Sequence, residues 1–322
     1  MAKKSTPRKG SLQFHPRSRA KSPVARVRRW LPQKEAKLLG FAGYKVGMAH
    51  VMAIDNNPNT LSKNTPIRIP VTIIECPPLK AVSARFYNTV NNYKLVVGEV
   101  YATAFDKDLA RKRTMPKKPK TKVEDIKEYD HINLLVQTLP SRTTIGKKKP
   151  ELFEVGIGGN KEEQLAYAKE MLGKEINVSD IIQPGSQVDI HAVTKGMGVQ
   201  GPVRRLGISL KSHKSEKGRR RPGSLGAWKG QVNHMWKIAF SGQTGFFRRT
   251  EYNKWVLQVS EKPENNPKDG FRKYGLIKNP YILLKGSTGG SKKRLVRISH
   301  ASRPRSNIPK EVPEITFNSR LQ

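Results

Sequence analysis

VTKGMGVQGPVRRLG, residues 193–207, places glycines at 196, 198 and 201 directly after the strand-like QVDIHAV. The spacing G-x-G-x-x-G is that of a dinucleotide-binding turn, which also needs a helix opening at the third glycine and an acidic residue about 20 residues further on. Pro202 tolerates a helix start, but VRRLGISLKSHK carries no sustained apolar stripe, and the chain then reads KGRRRPG with no carboxylate for a ribose. The glycines are therefore read as a turn leading from a strand into a basic loop. That choice turns the fold away from a doubly wound parallel sheet.

Charge dominates the composition. Lys and Arg number 62 against 25 Asp and Glu in 322 residues, for a formal net charge of +37. Self-repulsion on that scale is relieved by a polyanionic partner. Membrane is the competing polyanion, but no apolar run approaches the length of a span and no basic segment has the stripe of a surface helix. The reading is therefore of no membrane partner. MAKKSTPRKGSLQFHPRSRA has no apolar h-region of a signal peptide. The single cysteine, Cys76, excludes an internal disulfide framework and a cysteine-rich zinc site. A cytoplasmic, nucleic-acid-bound protein is the expectation.

The excess charge is concentrated in two places. Residues 1–37 hold 12 Lys/Arg and one acid, Glu35; residues 196–250 also hold 12, with Glu216 the one acid. Residues 106–183 are near balance, 16 basic against 13 acidic. Both biased segments are rich in Gly, Pro, Ser and Arg and lack apolar periodicity, so they are expected to be mobile alone and ordered against phosphate. A solubilising tail is the plainer reading. Against it, the second segment is internal and carries Trp228, Trp236, Phe240, Phe246 and Phe247.

Between and around these segments the pattern is mostly β. KLLGFAGYKVGMAHVMAID (37–55) reads as two short strands with glycine bends, PIRIPVTIIECP (66–77) as a strand, and LKAVSARFYNTV and YKLVVGEVYATAF as a hairpin across Asn91-Asn92. HINLLVQTL and LFEVGIGG are strands. NKEEQLAYAKEMLGKE is a helix with Asn160 as N-cap, acids in its first turn, and Leu165, Ala168, Met171 and Leu172 on its apolar side. Strands resume at SQVDIHAVTK, YNKWVLQVS, RKYGLIKNPYILLKGS and KRLVRISH. Short strands with glycine corners suggest a small closed barrel, mostly β with an α+β insertion. The predicted organisation is a basic N-terminal extension (1–36), a discontinuous barrel (37–105, 184–195 and 251–302), an α+β insertion (106–183), a basic internal extension (196–250) and a C-terminal tail (303–322).

No catalytic constellation emerges. None of the seven histidines (15, 50, 131, 191, 213, 234, 300) is paired at i,i+4, and there is no H-E-x-x-H, H-x-E or G-x-S-x-G. GSTGGSKK (286–293) departs from a phosphate-binding P-loop because Ser291 stands where its second glycine belongs. The basic segments hold too few carboxylates to cluster around a metal. Catalytic residues, metal and cofactor are all read as none. An RNA-modifying or RNA-cleaving enzyme and a free architectural DNA-binding protein remain as rivals.

The candidate RNA contacts are Arg8, Lys9, Arg17, Arg19, Arg26, Arg28 and Arg29 in the arm, and Lys195, Arg204, Arg205, Lys211, Lys214, Lys217, Arg219, Arg220, Arg221, Trp228, Lys229, Arg248 and Arg249 in or beside the internal extension. Arginine offers a forked donor set suited to phosphate oxygens. Trp228, in LGAWKG, stands between glycine-flexible segments, where it can stack on a base or wedge between helices; Trp236 either joins it or packs on the barrel. No helix-turn-helix, zinc finger or basic zipper is present, and irregular Gly-Arg loops with aromatics suit folded RNA.

PRKGSLQFHPRSRA, GFAGYKVGMAHV, VTIIECPPL, VTKGMGVQGPVRRLG, GSLGAW, GQTGFFRRTEYNK and YGLIKNPYILLKGS with KKRLVRI, in this order, resemble the large ribosomal subunit protein three family, most closely its archaeal members. The resemblance implies a six-stranded barrel of the kind shared with translation factors, an α/β insertion and two long extensions. It also implies binding of large-subunit ribosomal RNA, a part in subunit assembly, and an internal extension running toward the peptidyl-transferase centre with Trp228 at its tip. Neighbouring large-subunit proteins, the fourteen and the archaeal twenty-four type, are the implied protein partners. The chain departs from the family pattern in reading KGQ after Trp228 and in having Phe247 where His is common.

Overall fold

The computed structural model describes residues 8–91, 93–114, 116, 121, 123–126, 128–225, 238–261, 266–309 and 311–318. The chain divides into two compact units, one of residues 1–23 with 193–248 and one of residues 24–192 with 249–322. No helix among the described residues is long and apolar enough to cross a membrane.

The larger unit is mostly β. Its first strand, β1 (Gly40–Ile54), is one 15-residue strand where the sequence suggests two, because the glycine positions bend it without ending its pairing. It runs antiparallel to β2 (Pro66–Glu75), with Lys45 opposite Ile74 and Gly47 opposite Ile73, which leaves Val46 as the extra residue of a bulge. Gly43 permits the close approach: a Cβ there would lie 2.7 Å from the Sγ of Cys76 and from the carbonyl oxygen of Glu75.

β8 (Gln187–Val193), β11 (Arg248–Ser260), β12 (Tyr281–Lys285), β13 (Leu295–His300) and β14 (Ile315–Asn318) complete a seven-stranded sheet in the order β13-β8-β11-β12-β2-β1-β14. β13 also pairs with β1, Gly40 facing Ser299 through Tyr44 facing Leu295. The pairing is uneven around this path: β1 and β2 match over ten positions, β8 and β13 over four.

A second sheet forms from β3 (Leu79–Val90), β4 (Tyr93–Tyr101), β5 (His131–Thr138) and β6 (Leu152–Gly156) in the order β4-β3-β5-β6, with β7 (Glu175–Ile176) beside β3. β3 and β4 form the expected hairpin, Val90 opposite Tyr93. β3 pairs onward with β5 rather than entering the seven-stranded sheet, so the hairpin belongs with the strands that follow it. α1 (Lys161–Met171) begins where Asn160 is followed by Glu163, whose Oε2 accepts from the Asn160 N–H at 3.0 Å. Its Ala168 is buried, and Leu165, Met171 and Leu172 pack against the core.

The core is aliphatic and aromatic, with Phe41, Tyr44, Ile73, Ile74, Leu79, Phe86, Leu134 and Tyr281 all but fully buried. Within it the Tyr44 hydroxyl donates to Thr138 Oγ1 at 3.0 Å. Cys76 is a buried structural thiol whose S–H donates to the Ile74 carbonyl at 3.6 Å, and burial pushes its pKa well up.

Candidate nucleic-acid interface

The smaller unit contains the glycine turn of residues 193–207. β9 (Gly198–Gln200) pairs antiparallel with β10 (Gly242–Thr244), Gly198 opposite Thr244. α2 (Pro202–Leu206) is one short turn of helix, capped by Gly201 and ended by Gly207 in the left-handed region at φ 71°. Five residues of helix and no acid behind it give a turn, not a dinucleotide cradle.

Gly245 closes the ribbon. It sits at φ 68°, and a Cβ there would lie 2.1 Å from the carbonyl oxygen of Lys195, so only glycine fits. The same carbonyl accepts from the Phe246 N–H at 3.3 Å, and Thr194 N–H donates to Phe247 O at 2.9 Å. Lys195 is exposed at this crossing.

The arm and the internal extension come together here. Ala20 N–H donates to Phe246 O at 2.9 Å, and the Arg19 guanidinium lies 5.5 Å from the centre of the Phe246 ring. Arg17 Nη2 donates to Ser11 O at 3.2 Å, and its Nη1 stands 3.3 Å from His15 Nε2. Burial first, then the charges of Arg17, Arg8 and Arg205, hold the His15 pKa below its ordinary value. Arg8, Arg17 and Arg205 thus act on one point from two distant stretches of sequence.

The candidate cations divide by what they touch. Arg205 donates from Nε to Gln243 O and from Nη1 to Phe240 O, each at 3.1 Å, so its fork is spent on the ribbon's own backbone. Arg204, on the same short helix, is exposed. Beyond it, Lys211 N–H donates to Arg219 O at 3.0 Å, closing a loop whose outer surface carries Lys211, Lys214, Lys217, Arg219, Arg220 and Arg221, all exposed. Lys9 and Arg248 are exposed as well. Among the described residues, no carboxylate pairs with Lys9, Arg204 or the 211–221 cations. Trp228 and Lys229, the expected tip of the extension, and Trp236 lie outside the described residues.

The remaining arm residues belong to the larger unit. Ala25 and Val27 are buried while Arg26 and Arg28 are exposed, an extended segment with one face down and one face charged; Arg29 is exposed beside them. Arg249 is half-buried and its pKa is lowered by that burial.

The larger unit adds cations that were not among the candidates. Lys45, buried, donates to the Thr288 carbonyl, Lys254 Nζ to Ser287 O at 2.7 Å, and Lys292 Nζ to Arg272 O at 2.8 Å. They hold the glycine-rich turn at 286–291, beside which Lys285, Lys292 and Lys293 are exposed. The run KGSTGGSKKR carries this signal in its alternation of small residues and cations.

A model of the ribosomal protein L3 family matches residues 1–319. The large ribosomal subunit protein uL3 of Methanocaldococcus jannaschii is 43% identical over 97% of this chain and 96% of its own length. The uL3 proteins of Methanothermobacter thermautotrophicus and Methanobrevibacter smithii are 42% and 41% identical, each over 99% of this chain and 98% of their own length. Both the family match and this similarity run through the arm, the two sheets and the basic ribbon alike, and the chain belongs to the ribosomal protein L3 family.

Proposed function

We propose that the protein is a structural, non-catalytic component of the large ribosomal subunit in the cytoplasm, holding large-subunit ribosomal RNA through the cations of the smaller unit. One observation carries this reading. Among the described residues of that unit only Val193, Pro202, Leu206 and Gly245 are buried, while its surface bears Lys9, Arg204 and the 211–221 cations. Ordering each residue costs about 1–2 kcal/mol, and so small a core offsets little of it. A phosphate-rich partner supplies what the core does not.

In this reading Arg8, Lys9, Arg17 and Arg19 and the 195–221 cations track RNA backbone, Arg26, Arg28, Arg29, Arg248 and Arg249 extend the contact, and Arg205 shapes the ribbon. Trp228 and Lys229 reach toward the peptidyl-transferase region and brace its RNA without an acid–base role. The uneven ring of β1, β2, β12, β11, β8 and β13 is the six-stranded barrel of translation proteins. It carries the second sheet, in which the 106–183 insertion joins the β3–β4 hairpin, and the chain continues from it into the extensions at 1–36 and 196–250. The protein supports subunit assembly beside the fourteen and twenty-four type neighbours, with no cofactor.

Sedimentation of a cell lysate tests the core of this proposal: nearly all copies should travel with large subunits. Purified protein should retain labelled large-subunit RNA without turnover, with affinity falling steeply between low and moderate salt. A free pool dominating the gradient, or divalent-dependent cleavage of the RNA, would overturn it.

A further inference from the structure

The β3–β4 hairpin stands apart from the rest of the surface. Tyr93, Leu95, Val96 and Val97 are 75%, 54%, 55% and 50% exposed, and Val90 across the turn is exposed too. These five are nearly a third of the sixteen exposed large apolar residues among the described residues, and all lie within eight positions. A strand at a solvated sheet edge ordinarily shows apolar groups on one face only. Here Tyr93, Leu95 and Val96 leave both faces uncovered.

The hairpin is held close to its turn, by the residue that precedes β5. Asp130 N–H donates to Tyr87 O at 2.7 Å, and Thr89 N–H donates to Asp130 Oδ2 at 2.6 Å. β4 is also the end strand of its sheet, and among the described residues no strand pairs with its outer edge. An unpaired edge beside exposed aliphatics is a template for another strand.

Charge decides what that strand belongs to. In a chain where 27% of residues are charged, positions 86–98 hold one charge, Lys94. RNA contacts are made chiefly by cations, and this stretch offers only that one; Lys80 and Arg85, nearer the base, are paired with Asp106 and with Glu99 and Glu154. A second copy is opposed by +37 on each molecule, and the bulge that leaves Val97 without a partner on β3 breaks the regular edge that self-pairing uses.

We propose that the β3–β4 hairpin is a protein-docking site, at which a different, less basic protein lays an extended aliphatic segment along β4 and over Leu95 and Val96. This goes beyond RNA binding and does not depend on it.

In-cell photo-crosslinking tests the site. Cells carry the full-length protein with a benzophenone amino acid in place of Val96 or, as a control, of Leu61, which is fully exposed in the β1–β2 connection. After denaturing purification, adducts are identified by mass spectrometry. The position-96 probe should give one protein adduct, several-fold above the control, mapping to an uncharged or acidic aliphatic segment. Leu95→Glu with Val97→Glu should cut its yield at least fivefold. Adducts to RNA, adducts to a second copy, equal yield at both positions, or none at all would overturn the proposal. Sedimentation of the same cells reads the ribosomal assignment separately: protein absent from large subunits sinks that assignment, while the adduct is judged on its own.

Discussion

Glu75 Oε1 accepts from both the backbone N–H and the side-chain Nδ2 of Asn279, at 3.0 and 2.8 Å, across 204 residues of sequence. The carboxylate is fully buried, and Lys278 N–H at 2.9 Å and the Tyr274 hydroxyl also donate to it. Every partner is a donor, and burial with the adjacent Glu75 charge drives the Tyr274 pKa far up, keeping its proton in place. Glu75 therefore fixes the approach to β12 against the end of β2.

Glu75→Gln turns one acceptor oxygen into an NH2 that faces donors. Buried hydrogen bonds to a charged group are worth about 1.5–3 kcal/mol each. The expected result is a loss of about 2–4 kcal/mol, seen as a lower midpoint in chemical denaturation. An unchanged midpoint would show that the carboxylate is dispensable.

Cys76 should be inert in the folded protein. Its thiol is buried and its pKa raised by that burial, so the thiolate that reacts with disulfide reagents is scarce. Ellman's reagent should titrate no thiol at neutral pH and one per chain in denaturant. A fast reaction in buffer would contradict the packing around Gly43.

His131 and His300, in addition to His15, make stability depend on pH. Burial, then the charge of Lys94, lowers the His131 pKa; burial chiefly lowers that of His300. A depressed pKa means the unfolded chain binds the proton more readily, so stability is full above about pH 6.5 and falls as pH drops through the folded values. Tm should decline from pH 7 to pH 5, and His131→Gln with His300→Gln should flatten that decline. A Tm rising on acidification would reverse the sign.

Arg204 and Arg205 are sequence neighbours with different expected phenotypes. Arg204→Ala should leave the ribbon intact and reduce the salt slope of RNA binding by about 1, as for one lost phosphate contact. Arg205→Ala removes the donors to Phe240 O and Gln243 O. It should raise amide exchange across β9 and β10 as well as weaken binding. If both variants behave alike, Arg205 has no structural role.

Much of this was legible in the residues. The alternation and β-branching of PIRIPVTIIE mark β2, and Asn160 with Glu163 marks the start of α1, because these signals act over a few positions. Sheet membership was not legible. Tyr87 and Val96 alternate as any hairpin residues do, and alternation encodes a face, not the strand across it. That β3 meets β5 depends on Phe86 facing Ile132 and on Tyr129, whose ring lies edge-on to Phe86 at 5.0 Å. The basic ribbon was legible as charge, but nothing in RRLG says that the second arginine turns inward to carbonyls 35 and 38 positions ahead.

The bond from Ala20 to Phe246 joins residues 226 positions apart. At synthesis speeds of about 5–20 residues per second, Ala20 waits roughly 10–45 s for its partner to be made. Throughout that interval a polycationic stretch hangs from the translating machine beside abundant anionic polymers. Closure of the ribbon on the arm thus comes only after about three-quarters of the 322-residue chain has been made.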